Sequence, residues 1–147
     1  MPMESHIADI SRVIQLAVAP VFLLTAIATL VTTLNNRLGR IVDRRRVVLE
    51  HLAADVVNAE RTAANTELAT LARRSRLVYL SIFSAVLGAL LICLVVASAF
   101  MAALLTYDLS RLVAGLFVLS MFSLVVSLGL FLREVFLAVS HSAHFRR

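Results

Sequence analysis

The sequence predicts an all-α integral membrane protein with three transmembrane helices and a cytoplasmic helical hairpin between the first and the second. Two observations carry this prediction. Hydrophobic residues make up 61% of the 147 residues and charged residues only 16%, whereas ordinary globular chains have roughly 45–50% and about 25%. Three long segments contain no charged residue, and each is long enough for a helix of about 20 apolar residues to cross a bilayer. The length fits a single membrane domain, 1–147.

The three predicted transmembrane helices cover residues 10–34, 77–105 and 112–132. The second is longer than a bilayer requires, which predicts a tilted helix or one that projects beyond the hydrocarbon. Only the segment from Thr106 to Arg111 separates the second span from the third, so these two helices are predicted to be antiparallel neighbours joined by a tight turn. Residues 133–147 are predicted to form a cytoplasmic tail.

The segment 35–76 is predicted to be a hairpin of two helices that continue the first and second spans. Apolar residues from Leu38 to Val56 recur at steps of three and four, which is the period of a helix. Both ends of the segment return to the membrane, so the chain must fold back within it. The stretch from Arg61 to Glu67 is its most polar part, and Asn65 or Thr66 is a candidate cap for the second helix.

The arginines are distributed unequally about the spans. The hairpin carries nine and the tail three, whereas the opposite side carries only Arg12 and Arg111. Basic residues beside spans are retained on the cytoplasmic side, so we expect a multi-pass membrane protein with its N-terminus outside and its C-terminus in the cytoplasm. Topology also accounts for the net charge of +5 and the pI of about 11, so no nucleic-acid partner is expected.

The predicted spans offer no catalytic group. An intramembrane enzyme needs a nucleophile with a base, a carboxylate pair or a metal cluster, and the interiors of the spans contain no Asp, Glu, His, Lys or Arg. The serines of the third span, Ser120, Ser123 and Ser127, have no base to activate them. His141 and His144 have the spacing of two metal ligands, but two are too few. We therefore expect a non-enzymatic protein without a cofactor or a metal.

The first span carries a stripe of polar residues on one helix face. Its members are Gln15, Thr25, Thr29, Thr33 and Asn36. Two interpretations are open. The hydroxyls bond back to the preceding turn or across to another helix, and the stripe serves packing. Alternatively, several copies gather around an axis and the stripe lines an ion-conducting pore. Three helices of one chain cannot enclose a channel, so the pore requires a homo-oligomer.

Arg37, Arg40 and Arg44 extend this stripe beyond the span at steps of three and four. In a pore they would form a cytoplasmic basic ring that favours anions. Without a pore they would contact anionic lipid headgroups or lie on a solvated face. The predicted partners are thus the lipid bilayer, further copies of this chain and ions.

Small residues at helical spacing mark the second and third spans, among them Ser81, Gly88 and Ser120. In lipid, small side chains allow two helix backbones to approach closely. The pattern predicts tight packing of the second span against the third, or between copies of the chain.

The segment from Ile14 to Arg46, "IQLAVAPVFLLTAIATLVTTLNNRLGRIVDRRR", resembles the signature of the bacterial DUF2721 family, most specifically in "APVFLL" and "NRLGRIVDRRR". The resemblance covers most of the chain. It implies a small three-span protein of the bacterial inner membrane and supplies no activity, since the family's function is unknown. From the residues, our functional prediction is a homo-oligomer whose first helix lines an ion-conducting pore. The alternative is a scaffold or regulatory membrane subunit that binds other proteins through its cytoplasmic hairpin.

Overall fold

The described part of the chain forms three α-helices in the computed structural model: α1 (Pro2–Ala53), α2 (Asn58–Leu105) and α3 (Ser110–His144). The structure describes residues 2–53, 58–105 and 109–144, with side chains at 14–15, 18–53, 60–104 and 109–139. Each helix is long and apolar enough to cross a membrane. The prediction of an all-α chain with three such helices is confirmed.

Each of the first two helices continues well beyond its uncharged run. α1 extends through the arginine-rich segment to Ala53, and α2 begins at Asn58. Asn65 and Thr66 therefore lie inside α2, and the prediction that one of them caps a helix is wrong. The Thr66 hydroxyl donates a hydrogen bond to the Thr62 carbonyl at 3.0 Å, which is how a threonine satisfies its hydroxyl within a helix. The connection at 54–57 lies outside the described residues.

The third helix also continues past its uncharged run. It ends at His144 and includes most of the segment that was predicted as a tail. At its start, the Val113 N–H donates to the Leu109 carbonyl at 3.0 Å, which closes the first turn. Residues 106–108 of the predicted turn and residues 145–147 lie outside the described residues. The continuation of α3 brings Glu134 into a helix.

The chain divides into two compact units. The first comprises Met1–Val31 and Ser84–Val125, and the second comprises Thr32–Phe83 and Val126–Arg147. Each unit contains a segment of all three helices. The second unit holds the arginine-rich parts of α1 and α2, and it contains the candidate site described below.

Several of the buried positions in the second unit recur at intervals of seven residues. They are Leu34, Ile41 and Val48 on α1, Leu71 and Val78 on α2, and Ser127 and Glu134 on α3. Seven residues make about two helical turns, so these positions form one seam along each helix, as in coiled-coil packing. Glu134 thus occupies a seam position, where an apolar or small side chain is usual.

Within the first unit, serines join α2 to α3. The Ser120 hydroxyl donates to the Gly88 carbonyl at 2.9 Å, and the Ser123 hydroxyl donates to the Ser84 carbonyl at 2.7 Å. Both donors are buried. Because the serine side chain is short, a hydroxyl-to-carbonyl bond requires the two backbones to lie close together.

The second unit repeats this contact with a reciprocal pair. The Ser127 hydroxyl donates to the Ser81 carbonyl at 2.8 Å, and the Ser81 hydroxyl donates to the Ser127 carbonyl at 2.7 Å. Both side chains are fully buried. The tight packing that the small residues predict therefore occurs between α2 and α3 of one chain.

Replacing Ser127 with alanine is expected to lower the free energy of unfolding by about 0.5–1.5 kcal/mol, because one interhelical hydrogen bond is lost without changing the size of the seam. Equilibrium unfolding in mixed detergent micelles measures this. Ser98→Ala is the matched control, since the Ser98 hydroxyl bonds within its own helix to the Val95 carbonyl. An equal loss in both variants would contradict an interhelical role for Ser127.

Candidate functional site

A buried carboxylate on α3 is the centre of the candidate site. The Glu134 residue has an exposure of 0%. Its Oε2 atom accepts a hydrogen bond from Nη1 of Arg37 at 2.9 Å. Its Oε1 atom accepts bonds from Nη2 and Nε of Arg74, at 2.8 and 3.3 Å. A buried carboxylate needs both a counter-charge and hydrogen bonds, and the two arginines supply both from two different helices.

The positions of these arginines follow from the seam. Arg37 lies three residues after the buried Leu34, and Arg74 lies three residues after the buried Leu71. Residues three apart are neighbours on a helix surface, so both guanidiniums flank the seam position of Glu134. The Arg37 guanidinium also lies over the Phe131 ring, 5.0 Å from its centroid, which adds a cation–π contact.

A further ion pair joins α1 and α2 within the same unit. Nε of Arg44 donates to Oε1 of Glu67 at 2.7 Å. Arg44 lies beyond the predicted first span, which ends at Leu34. The hydrogen bond and the negative charge of Glu67 raise the pKa of Arg44 above its ordinary value. The Arg44 guanidinium therefore stays charged at any physiological pH.

A cavity of about 310 Å³ lies among these charged groups. Its lining includes Arg37, Arg40, Arg44, Arg74 and Glu134, together with the buried side chains of Ile41 and Leu71. The site therefore combines a concave surface, four guanidinium groups and an apolar wall. Such a surface is suited to an anion that also carries an uncharged part.

The structure places the predicted basic residues at one site. Arg37, Arg40 and Arg44, predicted as a cytoplasmic ring or a lipid contact, all line the cavity. Their role in either capacity stays a prediction. The cavity is completed by residues that sequence reasoning had not connected with them, namely Arg74 of α2 and Glu134 of α3.

The five residues predicted to line a pore all lie on the surface of the single chain. These exposed residues are Gln15, Thr25, Thr29, Thr33 and Asn36. The Thr25 hydroxyl donates to the Val21 carbonyl at 3.3 Å, and the Thr29 hydroxyl donates to the Thr25 carbonyl at 3.1 Å. Bonding to the preceding turn is one arrangement that the sequence predicts, and it leaves the pore lining a prediction.

Glu134 and Arg74 were missed because each lies just outside an apolar run. One sequence signal was available. Ser120, Ser127 and Glu134 are seven residues apart, which places Glu134 on the same seam as the small residues. A carboxylate in such a register predicts a buried charge with basic partners.

Residues 17–143 match a family model whose description is "Protein of unknown function (DUF2721)". The chain belongs to the DUF2721 family. The resemblance seen in the sequence is thereby confirmed. The part of the chain that matches the DUF2721 family includes Arg37, Arg74 and Glu134. No curated protein and no solved structure matches the chain.

Proposed function

We propose that this DUF2721 protein is a non-enzymatic, homo-oligomeric protein of the bacterial inner membrane whose first helix lines an ion-conducting pore. The observation that carries the proposal is the exposure of the polar stripe of α1. Gln15, Thr25, Thr29, Thr33 and Asn36 are all exposed in the single chain. In a membrane, polar side chains are favoured at contacts between helices or beside water, which supports a second copy or a water-filled path at this face.

The proposed topology has the N-terminus outside and the arginine-rich part of α1 in the cytoplasm. Its support is the excess of arginines between the first two spans and after the third, since arginines near spans are retained on the cytoplasmic side. The candidate site around Glu134 then lies at the cytoplasmic end of the spans. Cysteine accessibility labelling at Arg45→Cys and Arg111→Cys, in a Cys93→Ala background, tests this, because the two positions should label from opposite sides.

Two features of the described residues favour a non-enzymatic role. Both carboxylate oxygens of Glu134 accept hydrogen bonds from Arg37 and Arg74, so the carboxylate is engaged in ion pairs between helices, whereas a general base must reach a proton of its substrate. The Ser120 and Ser127 hydroxyls donate hydrogen bonds to backbone carbonyls, whereas the hydroxyl of a nucleophilic serine must donate its hydrogen bond to a base.

The pore has a direct test in liposomes. Thr29→Leu combined with Thr33→Leu is expected to reduce ion flux by at least about tenfold, since two leucines per copy convert a polar wall into a hydrophobic constriction that dewets. The flux is followed with an ion-sensitive dye after a salt jump. The control is Thr66→Leu with Thr70→Leu, whose hydroxyls bond in the same way within α2. A confirmed oligomer that is silent, or equal flux in both double variants, would overturn the pore.

One observation favours the scaffold as the second candidate function. Val42, Val47 and Leu49 are 47–54% exposed, although they lie in the arginine-rich part of α1, beyond its uncharged run. Contiguous apolar patches that are exposed outside lipid are typical of protein contacts. Crosslinking in cells should then recover a reproducible partner that is lost on Val47→Ser with Leu49→Ser. Recovery of self-crosslinks alone would count against the scaffold.

A further inference from the structure

The cavity beside Glu134 carries more positive charge than its own carboxylates neutralise. Four guanidiniums line it, those of Arg37, Arg40, Arg44 and Arg74. Glu134 pairs with two of them and Glu67 with a third. Four positive charges against two negative charges leave an excess of two. A ligand with two negative charges would therefore neutralise the site.

Arg40 is the guanidinium that accounts for much of this excess. It lines the cavity, and within the described part of the chain it makes no ion pair, whereas its neighbours Arg37 and Arg44 each make one. An arginine offers five N–H donors in a planar fork. Arg40 is thus the group with the most donor capacity left for a ligand.

The remaining arginines are held in place before any ligand arrives. Glu134 fixes Arg37 and Arg74 from opposite carboxylate oxygens, and Glu67 fixes Arg44. Side chains that are already ordered lose less conformational entropy on binding. Because both oxygens of Glu134 accept hydrogen bonds from guanidiniums, the positive charges beside them offset the repulsion between its carboxylate and an anion.

The shape and position of the cavity narrow the class of anion. A planar guanidinium group can donate two parallel hydrogen bonds to two oxygens of one phosphate group. A volume of about 310 Å³ exceeds the requirement of one phosphate, and Ile41 and Leu71 give the cavity an apolar wall. Arg37 lies three residues beyond Leu34, the last residue of the predicted first span, so the site is about one helical turn from the apolar span.

We propose that this cavity is a binding site for a phosphoryl group, carried either by an anionic lipid headgroup or by free phosphate. The site is complete within one chain, so it stands apart from the proposed pore. An absence of ion flux in liposomes would not contradict the phosphoryl site. An absence of phosphate or lipid binding would not contradict the pore.

The test uses the full chain in uncharged detergent micelles and follows its Tm. One arm adds sodium phosphate against sodium chloride at equal ionic strength. The other adds phosphatidic acid to the micelles against an equal amount of phosphatidylcholine. A ligand that binds the folded state raises the Tm in a saturable way. Saturation with phosphate indicates free phosphate as the source, and saturation with phosphatidic acid alone indicates a lipid headgroup.

Two arginine variants test whether the phosphoryl group binds in the cavity. Arg40→Gln is expected to raise the half-saturating concentration at least about tenfold, since it removes a charged donor without breaking an ion pair. Arg45→Gln removes the same charge from an exposed position outside the lining and should change it less than about twofold. The proposal is overturned if neither arm saturates, or if both variants weaken binding equally, because diffuse surface charge would then suffice.

Discussion

Replacing Glu134 with alanine is expected to lower the free energy of unfolding by about 3–5 kcal/mol. The carboxylate is fully buried and accepts hydrogen bonds from Arg37 and Arg74. Its removal leaves two guanidiniums facing one another with side-chain exposures of only 31% and 23%. They can regain little hydration there, and they repel each other across a site that no longer contains an anion.

Equilibrium unfolding in mixed detergent micelles measures this loss of stability. Two further variants test whether the unpaired buried charges cause it. Glu50→Ala is the surface control, because its ion pair with Arg46 spans 3.6 Å between side chains that are 81% and 71% exposed. No measurable loss is expected there. Replacing all three charges, with Arg37→Met, Arg74→Met and Glu134→Leu together, should recover most of the stability, since the cost comes from unpaired charge. A triple variant as unstable as Glu134→Ala would contradict this account.

The three long helices were predictable because uncharged runs of this length have few alternative structures. A membrane helix satisfies its backbone internally, so its existence depends on composition over one continuous segment. The start of α2 was not predictable in the same way. Asn65 and Thr66 are typical cap residues, but a threonine hydroxyl can also bond to its own preceding turn. Thr66 does so, and α2 already begins at Asn58.

The candidate site was predictable only in part, because it joins positions that are distant in sequence. The shared face of Arg37, Arg40 and Arg44 follows from their spacing on one helix. The hydrogen bonds that join Arg37 and Arg74 to Glu134 link residues that are 97 and 60 positions apart in the sequence. A local sequence pattern does not predict contacts between residues so far apart in the chain. The burial of Glu134 also required α3 to continue past its apolar run, where composition indicates a polar tail.

Replacing Gly88 with valine is expected to lower the free energy of unfolding by about 1–3 kcal/mol, through overpacking between α2 and α3. A Cβ atom at Gly88 would lie 3.2 Å from side-chain atoms of Leu124 and 3.5 Å from the Ser120 carbonyl oxygen. The larger valine side chain must push the helices apart. The bond from the Ser120 hydroxyl to the Gly88 carbonyl, now 2.9 Å long, would then lengthen or break.

Gly115→Val is the matched control, since a Cβ there meets no atom of the described residues within 4 Å. Both variants replace a helical glycine and so share the same change in helix propensity, which favours valine slightly. The difference between them in equilibrium unfolding isolates the contact between α2 and α3. Gly88→Ala should lie between them, because Leu124 is a flexible side chain that can yield a few tenths of an ångström. If Gly88→Val and Gly115→Val unfold alike, the close approach of the two helices at Gly88 does not limit stability.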